Sequence, residues 1–495
     1  MLLVRLDEKS KEPVFRQIMD GIRGRISEGG LVPGDALPST RALAEALGIH
    51  RSTVATAYQE LWSLGFLDLR PGAVPRVRSR VAVAPERRGG DPSLIDWESL
   101  ATPFSSEARN FHERFRLEVL SRQDESVVNF RRLEVDKRLF PLDNFRTCLN
   151  RVLREQSGVL LGYGDAAGYA PLRATIASRL RMHGIRVTER EILLTNGSQH
   201  AIGLVLQMLS RPGASIAIEA PTYGEFLPLI GMHGLRPVEI PFRSDGMDLD
   251  VLERVLADER PTLVYTMPNF QNPTGVTTSQ AHRERLLELC SRHRVPLLED
   301  GFEEEMKYFG KVSLPIKSMD TNGVVIYSGT FSKVLFPGVR IGWVAAPAEV
   351  VERLSALLRF GELSTGAILQ AALNDFCERG YYDRHISHMH RVFRKRMQTM
   401  LRSLRKHISP EQATWTEPAG GYLVWMTLAR ARASREEIEE AFRASGVAVV
   451  PGRYFFGSER PAVNIRLSIA TLDERQIEEG VRRIAKAFAG IYSDR

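Results

Sequence analysis

Between Val14 and Ile26 the apolar residues fall at Val14, Ile18, Ile22 and Ile26, a strict i, i+4 stripe that predicts an amphipathic helix. "LVPGD" breaks that helix, and Ser39 of "LPS" is a good N-cap for a short second one with Leu43 and Leu47 turned inward. Gly48 ends it. A third helix is predicted from about Arg51 to Leu64, with Val54, Leu61 and Leu64 on one face. Two short helices joined through a glycine turn, after a longer first helix, form a helix-turn-helix pattern. "FLDLRPGAVPRVRSR" then reads as a short hairpin, or wing.

From about Val81 the periodicity is lost, and "VAVAPERRGGDPS" reads as linker, with some helix resuming in "EARNFHERFRLEVL". A connection running to about Glu125 is longer than ordinary loops and points to separate domains, expected at 1–80 and 126–495 with a linker at 81–125. Beyond it, short aliphatic runs alternate with helical stretches, the mark of an α/β fold on a mainly parallel sheet. "EILLTNGSQ", "ASIAIEAPTY", "TLVYTMPNFQNP", "VPLLEDG" and "GVVIYSGTFSK" each end in polar residues. Ligands of open α/β sheets sit at the carboxyl ends of the strands. Gly197 to Gln199, Tyr223, Asn272, Asp300 and Thr330 to Lys333 are therefore expected to converge.

Composition narrows this only a little. With 495 residues, 43% hydrophobic and 26% charged, the chain is a soluble multidomain type with no apolar run long enough to span a membrane. The start, "MLLVRLDEKSKEP", turns charged too soon for a secretory signal. Cys148, Cys290 and Cys377 are scattered and odd in number, which suits a reducing, cytoplasmic setting and argues against a metal cluster. A net charge of +7 is compatible with nucleic acid, and residues 1–80 hold 12 Lys/Arg against 9 Asp/Glu, but charge alone decides nothing.

The strand-end residues suit one chemistry. A desolvated lysine loses proton affinity and becomes a nucleophile toward carbonyls, and Lys333 lies between Thr330, Ser332 and the "PGVR" turn that carries Arg340. Those hydroxyls, the Arg340 fork and the helix N-terminus opened by Gly197, Ser198 and Gln199 suit a phosphate. Asp300 is placed to pair with a ring nitrogen, Tyr223 to stack on the ring, and Asn272 to donate to its phenolic oxygen. Together they fit pyridoxal 5'-phosphate.

"YGDAAGYAPLR", "TNGSQ", "EAPTY", "NPTG", "SGTFSKVLFPGVRIGW", "PAGGYLVW" and "NIRLSIA" make residues 127 onward resemble a fold-type I pyridoxal-phosphate aminotransferase. The resemblance implies a large, mixed, mostly parallel sheet with a smaller C-terminal α+β subdomain. By it Lys333 would form the internal aldimine, Arg466 of "NIRLSIA" would hold an α-carboxylate, and Tyr163 would reach the cofactor of a neighbouring subunit. "LPSTRALAEALGIHRSTVATAYQEL" resembles the winged helix-turn-helix of GntR-type regulators, with Arg41, Arg51, Ser52, Thr53 and Thr56 facing DNA phosphates or base edges. Tyr58 is expected to pack or touch phosphate.

A GntR-type head on an aminotransferase-like body resembles the MocR/GabR group of bacterial regulators. It implies a cytoplasmic homodimer that binds promoter DNA and senses an amino compound, or pyridoxal phosphate itself, through Lys333. The other reading is an authentic class I/II aminotransferase with secondary DNA binding, because Lys333, Asp300 and Arg466 are all kept. The sequence departs from the group's pattern at Phe302, which stands where a tyrosine touches the phenolic oxygen, and in a wing without a Gly-Ser-Gly tip. It departs also at His50, where a serine often caps the recognition helix, and in "FRRLEVDKRLFP", which replaces a glycine-containing substrate-side segment.

Overall fold

The computed structural model describes residues 4–7, 10, 12–70, 72–78, 95–115, 126–310, 313–429 and 433–492. The chain divides into two compact units, Met1–Leu100 and Ala101–Arg495.

The first unit holds three helices and a hairpin, α1 (Val14–Ser27), α2 (Thr40–Leu47), α3 (Arg51–Ser63), β1 (Leu67–Asp68) and β2 (Arg76–Val77), and at its end the short α4 (Trp97–Leu100). Ser39 caps α2 by accepting from the Ala42 N–H at 3.2 Å, and Gly48 ends it in the left-handed region at φ 67°. β1 and β2 pair antiparallel, as expected of a wing. Ile18 and Ile22 are fully buried, whereas Val14, in the first turn of α1, is 38% exposed. On α3 the buried face is Val54, Ala57, Tyr58 and Leu61, spaced i, i+3, i+4, i+7. Leu64, expected on that face, is 49% exposed. It is the C-cap, one residue past the helix, so the chain has already turned away from the core. Tyr58 is core, its hydroxyl donating to the Pro38 carbonyl at 2.9 Å.

In the second unit α5 (Pro103–Phe115) occupies part of the segment expected as linker. Residues 81–94 and 116–125 of that linker lie outside the described residues. Short β3 (Val128–Asn129) follows, then α6 (Leu142–Leu160) and α7 (Ala170–Met182). The five predicted runs are all strands: β4 (Ile192–Thr195), β5 (Ser215–Ala220), β8 (Leu263–Thr266), β9 (Leu297–Asp300) and β10 (Val325–Thr330). With β6 (Arg236–Arg243), β7 (Gly246–Met247) and β11 (Gly342–Ala345) they make an eight-stranded sheet in the order β4-β11-β10-β9-β8-β5-β6-β7. β11 runs antiparallel between β4 and β10, and β7 antiparallel to β6; the other pairs are parallel.

Alternate residues of one strand enter different apolar clusters. Val325 joins Leu252 and Leu286, and Ile326 joins Phe226 and Leu298. Both sheet faces are thus covered, which is why these strands read as unbroken aliphatic runs rather than alternating ones.

The smaller sheet is antiparallel and carries Arg466. Its strands are β12 (Ala413–Trp415), β13 (Leu423–Leu428), β15 (Val450–Pro451) and β16 (Asn464–Ser468), in the order β12-β13-β16-β15. β14 (Val447–Ala448) pairs in parallel with β3, which ties the stretch after residue 126 to this subdomain. No described helix is long and apolar enough to cross a membrane.

Leu61 lies at 0% exposure in a core separate from those of the second unit. Leu61→Ala should cost about 2–5 kcal/mol. Calorimetry should then show the transition of the N-terminal unit lowered or lost and that of residues 101–495 unchanged.

Candidate functional site

The parallel strands bring their polar ends together. Asp300 is the last residue of β9 and pairs across the sheet with Ser328 of β10, three residues before the loop that carries Phe331 to Lys333 begins. Asp300 is 3% exposed; its Oδ2 accepts from the Tyr265 hydroxyl of β8 at 2.9 Å, and its Oδ1 has no partner. Burial pushes its carboxyl up to about 6, against the Tyr265 hydrogen bond and the Lys333 charge, which pull it down. Burial also lowers the Lys333 amine, and nearby carboxylates, led by Glu303, partly restore it. Lys333 Nζ donates to the Leu133 carbonyl at 3.2 Å, and its own carbonyl accepts from Tyr422 at 2.6 Å.

Around the loop, Arg340 closes the expected phosphate side. It sits in the left-handed region at φ 48°, and its Nη2 donates to the Asn196 carbonyl at 2.7 Å. The guanidinium thereby crosses Gly197, itself at φ 91°, where a Cβ would come within 2.8 Å of Arg340 Nη2. Only glycine satisfies both the dihedral and the close approach. Ser198 then opens α8 (Ser198–Leu209), whose first N–H groups face outward from the helix. Ser332 Oγ and Gln199 Oε1 are buried without partners. Thr330 differs, because its hydroxyl already donates to the Ile341 carbonyl at 3.2 Å and accepts from the Ser332 N–H at 3.1 Å. It braces the turn that presents Ser332.

On the opposite side, Arg466 of β16 is 7% exposed. It donates through Nη1 to Asn272 Oδ1 at 3.2 Å and through Nη2 to the Arg131 carbonyl at 2.9 Å. Its guanidinium stands 5.2 Å over the Phe455 ring. Asn272 therefore keeps its amide nitrogen as a donor. Tyr223 donates to Glu225 at 2.7 Å and packs beside the Phe226 cluster. Tyr163 lies apart at 82% exposure. Phe302, 6% exposed, fills the apolar cluster with Tyr265 and Met267.

Three groups here were not singled out from the sequence. Tyr265 sat unremarked inside "TLVYTMPNFQNP", although an aromatic on the strand beside Asp300 was the available signal. Glu219 holds Thr266, Met267 and Gln271, and Gln271 in turn holds Thr274, so the whole "NPTG" turn hangs on one buried carboxylate. Glu303 is 1% exposed, and no side chain hydrogen-bonds either of its oxygens.

In the first unit, Arg41, Arg51, Ser52 and Thr56 are exposed at and near the starts of α2 and α3, and Thr53 is half-buried. Arg51 Nε donates to Thr40 Oγ1 at 3.3 Å, and Thr56 donates back to the Ser52 carbonyl at 3.0 Å. His50 takes over the cap of α3, its Nδ1 accepting from the Ser52 N–H at 3.4 Å.

The unpartnered atoms fit pyridoxal phosphate. Asp300 Oδ1 suits a ring N–H, the Asn272 amide a phenolic oxygen, and Ser332 Oγ with Arg340 and the start of α8 a phosphate. Residues 133–484 match the aminotransferase class I and II family, and the chain belongs to that family. Residues 15–77 match the gntR family of bacterial regulatory proteins. The chain is 36% identical over 355 residues to aromatic-amino-acid aminotransferase 1 of Thermococcus litoralis, covering 70% of this chain and 85% of that one. Over 500 residues it is 29% identical to the probable rhizopine catabolism regulatory protein MocR of Rhizobium meliloti, covering 99% of this chain and 96% of that one. The crystal structure of LysN, the α-aminoadipate aminotransferase of Thermus thermophilus, superposes with a TM-score of 0.73 at 32% identity, over 80% of this chain and 99% of that one. The architecture is of the MocR type: a GntR-type head followed by a pyridoxal-phosphate-dependent aminotransferase fold.

Asp300→Asn keeps the Tyr265 hydrogen bond and removes the buried charge. The wild-type carboxyl, raised in the folded state, favours folding while protonated, and that advantage is lost as pH rises through about 6. In cofactor-free protein the variant should therefore gain on wild type by on the order of 1–3 kcal/mol between pH 4 and 7. Its cofactor affinity should fall at the same time. Melting curves across that range, with a cofactor titration, check both.

Proposed function

We propose that this chain is a pyridoxal-phosphate-dependent transcriptional regulator, a cytoplasmic homodimer in which the aminotransferase fold senses an amino compound, or the cofactor itself, and sets the affinity of the head for promoter DNA. The observation that carries this reading is the coexistence, in one chain, of the Lys333–Asp300–Arg466 site with an exposed basic and hydroxyl face on α2 and α3. When bound, pyridoxal phosphate supplies an aldehyde that bonds reversibly to amines and a ring that withdraws electrons. Lys333 is the amine that holds it, made more nucleophilic by burial. Asp300 keeps the ring nitrogen protonated, Tyr223 covers the ring, Asn272 donates to the phenolic oxygen, and Gly197, Ser198, Gln199, Thr330, Ser332 and Arg340 shape the phosphate cradle. Arg466 receives the effector's carboxylate. Tyr163, exposed in one subunit, is offered to the neighbour's site. Arg41, Arg51, Ser52, Thr53 and Thr56 face the DNA.

Coupling between pocket and head has a physical route at the start of the second unit. α9 (Phe226–Met232) receives α5, with Phe104 against Gly231. Phe111 of α5 meets Tyr454 edge-on at 6.3 Å. The next residue, Phe455, lies under Arg466, and its carbonyl accepts from Thr222, next to Tyr223, at 2.9 Å. An effector that shifts Arg466 moves the seat of α5, and differential affinity for two such arrangements is what alters DNA binding.

Purified protein should be titrated with amino acids while its visible cofactor absorbance and its binding to its own promoter region are followed. Shifts in both, with little keto-acid formed, are expected. Rapid complete conversion of the cofactor to its amine form without specific DNA binding would make the chain an authentic aminotransferase instead. Phe111→Ala should leave the spectral response to effector in place while blunting the change in DNA affinity. Paired spectral and electrophoretic-shift titrations of the variant check it.

A further inference from the structure

We propose that the effector carries a second, cationic group besides its reacting amine, as a basic amino acid does, and that the Glu303 carboxylate receives it. This inference rests on the site reading above and names the ligand class.

Glu303 follows β9 by three residues and is fixed on two sides. The Gly421 N–H donates to the Met306 carbonyl at 2.8 Å, and the Tyr308 hydroxyl donates to the Gly421 carbonyl at 2.8 Å. Between these ties the carboxylate lies over Gly421, where a Cβ would come within 2.5 Å of Oε2 and 2.7 Å of Phe270. A glycine at φ 67° thus makes the space in which a buried acid sits. That acid is 1% exposed, and no side chain hydrogen-bonds either oxygen; the Tyr422 backbone N–H is the one donor that acts on it. A structural carboxylate this deep is normally saturated, as Glu219 and Glu299 are by their neighbours here. One so short of partners marks a place for something that arrives.

The charges around it say what arrives. Glu303, Glu225 and Glu134 all act favourably on the Lys333 ammonium, Glu303 most strongly. The groups that face Glu303 are Lys333, Arg466, Asp300, Tyr308 and Tyr422. Asp300 is engaged by the ring nitrogen and Arg466 by Asn272, the Arg131 carbonyl and the effector's carboxylate, while Lys333, freed when the effector's amine takes its place, sets one charge against the carboxylates of Glu303, Glu225 and Glu134. What remains is a surplus of negative charge, with Glu303 at its buried end and half-buried Glu225 and exposed Glu134 nearer to solvent. An acidic side chain would be repelled there and an aliphatic one would leave Glu303 dry and unpaired. A side-chain ammonium pairs it. Burial raises the Glu303 carboxyl above its ordinary range, and a cation beside it draws it back toward the charged form. The preference for a cationic effector should therefore grow as pH rises.

The test compares L-lysine, L-norleucine and L-2-aminoadipate on the full-length, cofactor-loaded protein, by cofactor absorbance and by ligand-induced shift of the melting temperature. L-lysine should bind more tightly than L-norleucine by roughly 10- to 100-fold, the worth of one charge-assisted hydrogen bond. Glu303→Gln, nearly isosteric, should bring the ratio of L-lysine to L-norleucine affinity to near one, whatever it does to the affinity for either alone. L-norleucine or L-2-aminoadipate binding as well as L-lysine overturns the proposal, and that comparison stands whatever the stability of the variant. A lysine preference that survives Glu303→Gln overturns the role of Glu303. If none of the three perturbs the cofactor absorbance or the melting temperature, the site reading itself falls, and this proposal with it.

Discussion

Asp300 is buried and Lys333 half-buried at the same end of two adjacent parallel strands, and much of the local architecture answers to that desolvation. Desolvation pushes each toward its neutral form, the acid upward and the amine downward. A parallel sheet covered on both faces is what makes the place dry. Only a few polar groups then offset the cost. Tyr265 satisfies one Asp300 oxygen, Leu133 receives the Lys333 amine, and Tyr422 fixes the lysine's backbone. The remaining valences stay open, on Asp300 Oδ1, Ser332 Oγ and Gln199 Oε1. A cofactor with a ring nitrogen, a phosphate and an aldehyde would close them together, so that its binding would stabilise the fold through the same groups.

The strand ends were legible because two signals coincide there: an aliphatic run with no alternation, and an abrupt switch to Gly, Ser, Asn or Asp. That pattern marks Lys333, Asp300, Asn272 and Gly197 as candidates. What was not legible depends on contacts through space. The glycine at 197 looks from sequence like a turn residue; its necessity comes equally from the Arg340 side chain lying across it. The run "EEE" at 303–305 reads as a solvated acidic turn. Folded, the three part company: Glu303 has no side-chain partner beneath the site, Glu304 accepts from Asn269, and Glu305 pairs with Arg179. Period and composition are identical for all three, so only the packing of 303–309 against 419–422 tells them apart.

The head shows the same division. Its helices and caps follow from Ser39, Gly48 and the apolar spacing, yet the inward face of α3 is set by Ala57 and Tyr58 rather than Leu64. Tyr58 spends its hydroxyl on the Pro38 carbonyl, just before the cap of α2, which fixes the angle at which the start of α3 is presented. His50 can stand in for a serine cap because its ring nitrogen lies where a hydroxyl oxygen would, and it also meets Ser52 at 2.6 Å.

Phe302 bears on why an aminotransferase fold should serve a DNA-binding head. Groups suited to a cofactor and an amine are present, but the position after Asp300 and Gly301 contributes an apolar ring to the cluster of Tyr265 and Met267 instead of a hydroxyl to the site. Turnover demands interactions stronger in the transition state than in the ground state. Sensing demands the opposite emphasis, a bound state that persists and is reversible. A site rich in groups that hold charge in place, and poorer by one group that could tune the reacting centre, is tilted toward occupancy. Through Arg466, Phe455, Tyr454 and Phe111, that occupancy lies only a few aromatic contacts from the helix that opens the second unit.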